Sequence, residues 1–331
     1  MKRVAWFVLL GTVCAAAVTV DGYLKLGSRV GSRTITLRWQ QFPIRYFVTN
    51  SGVGGVSAQQ FQTVATRAFD AWNAVETAET SAEFAGFTSA PPLNQDSMNV
   101  LGFRSRPELE RVLAATNFLV DTTDGEILES DIFFNSAFPW SVSAAGESGR
   151  FDLESIAVHE VGHLFGLGHS ALGETEVRPG GRRVLSAEAI MFPIAFSAGT
   201  TEGRSLRPDD IAGISDMYPS TGFTREHGSI SGRITKSGTG LFGAHILAFH
   251  LETGKSVAGF TLNTDGTYTI AGLDPGPHVV RVEPLDDGDI ESFFDLSQNV
   301  DVNFRVKVHD RVVAVPRGGG VRNIDIQVVA K

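Results

Sequence analysis

One segment constrains this chain more than any other: HEVGHLFGLGH, residues 159–169. Side chains four apart on a helix share a face, so His159 and His163 can aim their imidazoles at one point. Gly166 lets the chain leave the helix sharply, because glycine accepts left-handed backbone angles at no steric cost. That turn brings His169 round as a third nitrogen ligand.

Three neutral imidazoles leave the fourth position of a tetrahedral zinc ion open to water, which marks a catalytic site rather than a structural one. Glu160 follows the first ligand and can reach that water without binding the metal. Zinc lowers the pKa of such water to about 7. Glu160 would then act as general base during attack on a carbonyl and return the proton to the leaving group. The distribution of histidine supports the assignment. The chain has eight, and His227, His245, His250, His278 and His309 all lie after residue 220. Before that point the motif holds every histidine. The five later ones scatter through strand-like segments and are read as non-ligands.

The 331 residues are 42% hydrophobic and 20% charged, an ordinary globular composition, and the length suggests two domains. A formal net charge of -9 without a basic cluster argues against nucleic acid as a partner. Residues 1–20 read as a cleaved secretory signal: Lys2 and Arg3, an apolar run over 4–18, and the small residues Ala15, Ala16 and Ala17. The run is short for a span of about 20 residues, so no stable membrane insertion is expected after cleavage. Cys14, the single cysteine, would leave with the leader, so no disulfide is expected. Neither is a thiolate latch on the metal, and the exported chain is expected to act without a further proteolytic step.

Alternating apolar positions Ile35, Leu37 and Trp39, then Ile44, Tyr46 and Val48, predict strands over 33–50. Ser57 and Gln60 make a capping box for a helix carrying Phe61, Val64, Ala68, Phe69 and Trp72 and running to about Val75. Strands are predicted over 98–136, with Asp124-Gly125 as a turn. A second helix should start near Asp152, and a third over RPDDIAGISDMY, with Pro208 in its first turn. Residues 221–227 read as a linker, and 228–331 carry short strands between Gly, Asp and Pro turns, the pattern of an antiparallel β-sandwich. Every candidate site residue precedes the linker, so the domain over 21–220 is expected to fold and act alone.

The extended motif followed by a methionine turn is the mark of the metzincins. DLESIAVHEVGHLFGLGHS, EAIMFP and LRPDDIAGISDMYP resemble a matrixin catalytic domain, and WQQFPIRYFV and AFDAWNAV resemble that family's first strand and helix. The resemblance spans most of 33–220. It implies an α+β domain with a mixed twisted sheet and three helices, and it implies that Met191 forms the floor beneath one catalytic zinc. The family's second, structural zinc is not expected, since no other histidine is available. Calcium is supported by no clear motif. Asp121, Asp124 and Asp131 can serve as its ligands, but they read better as turn and strand-edge residues. The polar stretch 172–183 lengthens the loop between His169 and Met191. GSISGRI and DGTYTIAGLDPG resemble carboxypeptidase regulatory-like modules, which implies an all-β second domain without catalysis.

The resulting expectation is a secreted, monomeric zinc endopeptidase acting on protein or peptide substrates. The alternative is a non-catalytic, zinc-containing binding or adhesion protein whose sandwich is the functional part. The intact Glu160 argues against it.

Overall fold

The computed structural model describes residues 4–9, 23–30, 33–179, 181–295 and 298–331. The first half is built on a six-stranded mixed sheet. Its strands are β1 (Val4–Leu9), β2 (Ile44–Thr49), β3 (Ala82–Thr88), β4 (Asn99–Arg104), β5 (Ala114–Asp121) and β6 (Ile127–Asn135), in the spatial order β1-β5-β6-β4-β2-β3. β5 is antiparallel to β6 and to β1, and the remaining pairs are parallel. β3 was not anticipated. It is a half-buried edge strand, so its sequence AEFAGFT carries little apolar alternation.

Helix α1 (Ala58–Asn73) starts at the predicted capping box: Ser57 accepts from the Gln60 amide, and the Gln60 side chain accepts from the Ser57 amide. Its buried stripe of Phe61, Val64, Ala65, Ala68, Phe69 and Trp72 packs onto the sheet, with Phe69 stacked on Tyr46 of β2 at 4.0 Å between ring centroids. Helix α2 (Leu153–Leu164) is capped by the Asp152 carboxylate, and α3 (Pro208–Met217) opens with proline as predicted. α2 is buried between α1 and β5, and Trp72 Nε1 donates to the Val158 carbonyl at 2.9 Å.

The stretch read as a lengthened loop is in fact an antiparallel hairpin of β7 (Gly173–Arg178) and β8 (Gly181–Ala187). The segment read as a linker contains one helical turn, α4 (Phe223–Glu226), anchored by the buried Phe223. Beyond it, β9 (Gly228–Lys236) and β12 (Thr267–Leu273) belong to one five-stranded sheet, while β10 (His245–His250), β11 (Ser256–Phe260) and β13 (Gly276–Glu283) belong to another. Ile230, Ile234 and Ile270 from the first face Ile246, Val280 and Val282 from the second in one core. The pairing is largely antiparallel, but two late strands, Gly320–Val321 and Ile326–Val328, run parallel to β9.

The predicted leader is only partly visible. Residues 4–9 form β1, with Leu9 opposite Thr116 of β5, and the rest of 1–20 lies outside the described residues. A short apolar segment and an unpaired sheet edge are natural partners, because the edge offers a row of free amides and carbonyls. Among the described residues no helix is long and apolar enough to cross a membrane.

The two halves pack closely. Leu24 and Ala171 from the first join Phe260, Leu262, Leu285, Phe293 and Phe294 from the second in a shared apolar cluster.

Candidate metal centre

α2 carries His159, Glu160 and His163 and ends at Leu164, with Phe165 as its C-cap. The next residue, Gly166, has φ of 97°, and a Cβ there would lie 2.5 Å from the Leu37 carbonyl oxygen. Both facts exclude a side chain, as the sequence suggested. The Leu167 amide closes back onto the Gly162 carbonyl at 3.1 Å, and the Gly168 amide donates to the Leu24 carbonyl at 2.7 Å. Three side chains hold the helix from outside: Trp72 at Val158, Trp39 Nε1 on the Leu164 carbonyl at 2.8 Å and the Tyr218 hydroxyl on the Phe165 carbonyl at 2.7 Å.

The outcome is that His159, His163 and His169 converge. One ring nitrogen from each lies within 4.8 Å of the others. The Nδ1 atoms all face carbonyls: Ile190 for His159 at 2.7 Å, Leu167 for His163 at 2.8 Å and Ser292 for His169 at 2.6 Å. A carbonyl only accepts, so each Nδ1 must carry the proton and donate it. Each Nε2 is then left with a bare lone pair. The His163 and His169 Nε2 atoms are 3.1 Å apart, with no proton available between two such lone pairs. A cation resolves that repulsion, and three neutral nitrogens suit zinc. Burial holds all three imidazoles in the neutral form. It lowers His159, lowers His163 further with help from its two neighbours, and brings His169 down to about 3.

Glu160 lies in the same cavity, of about 150 Å³, which Leu113, Ala114, Ile190, Phe192 and Phe196 also line. Burial pushes its carboxyl up to about 7, against a hydrogen bond from the Thr116 hydroxyl to Oε2 at 2.7 Å. Met191 is fully buried against α2 at Gly162, where an added Cβ would collide with the Met191 sulfur and with Trp72. Gly162 is thus what lets the methionine turn approach the helix.

Some contributors were not legible in the sequence. Asp210 of α3 accepts from the amides of Ile190 and Met191 at 2.8 and 3.1 Å and so holds the methionine turn. Asp209 accepts from the Ser170 hydroxyl, one residue past His169, and from the Ala258 amide of β11. Both aspartates read as ordinary first-turn acids, since a helix N-terminus favours acidic residues wherever it points. Thr116 and Ser292 carried no signal at all.

The calcium candidates lie in two places. Asp121 and Asp124 cap amides in the β5–β6 turn, whereas Asp131 is buried mid-strand and accepts from the Leu93 and Val100 amides. Among the described residues, the histidine triad is the group of metal-ligating side chains that converges. His245 pairs with Glu283, and His250 accepts from the Glu252 and Thr253 amides, so each already has a structural partner.

The Matrixin family model matches residues 38–219, and the Carboxypeptidase regulatory-like domain model matches 229–307. Metalloendoproteinase 5-MMP of Arabidopsis thaliana is 46% identical over 67 residues, covering 20% of this chain and 14% of that protein. Metalloendoproteinase 1 of Glycine max is 39% identical over 77 residues, or 23% and 20% of the two chains. Matrix metalloproteinase-20 of Homo sapiens is 31% identical over 94 residues, or 28% and 16%. The matched stretch is thus a fifth or less of each relative's length. The Matrixin match covers more than half of the 331 residues and contains the whole histidine triad, and this chain belongs to the matrixin family.

Proposed function

We propose that this protein is a secreted zinc endopeptidase in which His159, His163 and His169 hold a single catalytic zinc and Glu160 is the general base. The observation that carries the reading is the tautomer state: three Nδ1–H groups committed to carbonyls leave three Nε2 lone pairs turned on one point. When bound, zinc supplies Lewis acidity, activating water near neutral pH and polarising the scissile carbonyl.

The chain's own residues do the rest. Glu160 takes a proton from the water as its oxygen bonds to the carbonyl carbon, and then delivers that proton to the amine nitrogen as the C–N bond breaks and the amine leaves. Thr116 holds one oxygen of that carboxylate, so the other is free for the proton. Leu113, Ile190 and Phe192 give the cavity an apolar wall that suits a hydrophobic side chain and excludes bulk water. Met191 and Gly166 shape the site without entering the reaction. Export by the residue 1–20 leader would place the enzyme where protein substrates are extracellular. A site kept only for binding has no use for a carboxylate in this position, which weighs against the adhesion reading.

Digestion of a peptide library with the zinc-loaded protein, with and without a chelator, tests the proposal. Chelator-sensitive internal cleavage is the expected result. A protein carrying one zinc equivalent that cleaves nothing would overturn it.

A further inference from the structure

The three ligands are not held alike. His159 and His163 donate to carbonyls of Ile190 and Leu167, both within the matrixin-like half. His169 donates to the carbonyl of Ser292, 123 positions away in the other half. Ser292 ends a short 3-10 turn, Ile290–Ser292, in the loop that follows β13. The Phe293 ring lies edge-on to the His169 ring at 6.4 Å and is buried against Phe260. Gly288, in the same loop, packs under the Phe293 ring, where a Cβ would meet it at 2.7 Å.

The loop is pinned at a second place. Asp287 accepts the Thr175 amide at 2.7 Å, and the Asp287 carbonyl accepts the Thr175 hydroxyl at 2.8 Å. Arg182 donates to the Asp286 carbonyl at 2.9 Å. Both partners lie on the β7–β8 hairpin, which lies between His169 and Met191 in the chain. The lengthened loop and the second domain therefore meet each other beside the third ligand.

We infer that loop 286–294 of the sandwich is a working part of the metal centre: the Ser292 carbonyl sets the tautomer and orientation of His169, so docking of the sandwich and retention of zinc are coupled. This rests on the reading of the triad as the zinc site. Partners that orient a metal-ligating histidine typically matter by about 10- to 100-fold in metal affinity. Coupling of this kind is reciprocal, so bound zinc tightens the docked state in turn. The sandwich thus acts as a clamp on the third ligand, and Phe293 and Asp287 are positioning residues.

The test uses the full-length, zinc-loaded protein and two readouts other than turnover. The first is the rate of zinc release to a colorimetric chelator. The second is the nitrogen and proton resonance of each histidine Nδ1–H. Phe293→Ala should speed release by roughly 10- to 100-fold, and Asp287→Ala by less. In both variants the His169 Nδ1–H signal should broaden through solvent exchange, while those of His159 and His163 persist. A merely structural role would move all three signals or none. Release at the parental rate from folded variants overturns the inference, as does equal loss of all three signals. If Phe293→Ala fails to fold, Asp287→Ala and Phe293→Leu decide by the same readouts. A parental protein that binds no zinc at the triad sinks the site assignment itself. One bound equivalent with unaltered release in the variants sinks the clamp alone.

Discussion

The helix that carries His159 and His163 and the turn that carries His169 meet at one point but are positioned by different means. His159 and His163 share a face because 3.6 residues make a turn, and their Nδ1 partners come from the methionine turn and from the same chain four residues on. His169 sits past Gly166 on irregular backbone. Its place depends on the Leu24 carbonyl on one side, on Asp209 through Ser170 behind it, and on Ser292 from the second domain in front. Local geometry determines the first pair, and tertiary packing determines the third ligand. The helix half should therefore tolerate loss of distant structure, and the turn half should not.

The largest expected effect probes the helix half alone. Glu160→Ala should lower peptide hydrolysis by about 100- to 10,000-fold while elemental analysis still finds zinc, because the lost group is a base and not a ligand. Loss of metal along with activity would mean that Glu160 supports the site rather than the reaction.

The turn half is probed by shortening the chain. The expectation that residues up to about 220 suffice does not account for the interface seen here. A chain ending at Ser220 loses the Ser292 carbonyl and exposes Leu24 and Ala171. It should release zinc about 10- to 100-fold faster than the whole protein, measured by chelator competition. Equal retention would erase the distinction between the two halves.

A smaller effect should appear in the pH dependence of stability. Burial, reinforced by neighbouring Asp210, pushes Asp209 up to about 8. In the unfolded chain an aspartate titrates near about 3.9. The folded state therefore binds more protons between these values, and this group's contribution to stability falls as pH rises through that window. Asp209→Asn should remove the contribution, so its melting temperature should fall less than the parent's from about pH 5 to about pH 8. Parallel curves would show that Asp209 is already ionised in the folded protein.

Much of the site was legible because its rules are local. The capping box at Ser57, the proline opening α3, the turn at Asp124-Gly125 and the i, i+4 histidines each follow from a few consecutive residues. Elements whose stability comes from partners elsewhere were harder to read. β3 is an edge strand made by pairing with β2, and the β7–β8 hairpin is polar because its contacts are hydrogen bonds and ion pairs rather than apolar burial. α4 exists because Phe223 is buried at the junction, which nothing in its own four residues foretells.

The sequence by itself determined which three histidines can converge and which carboxylate lies beside them, since residue type, helical period and the glycine exit fall within eleven positions. Only the tertiary structure decided what holds them. The Ser292 carbonyl, the Thr116 hydroxyl and the carboxyl groups of Asp209 and Asp210 reach the site from three separate elements. A backbone carbonyl has no side-chain identity to read, and a buried aspartate looks the same in a sequence as an exposed one. Their roles come from burial and direction, which exist only once the chain has folded.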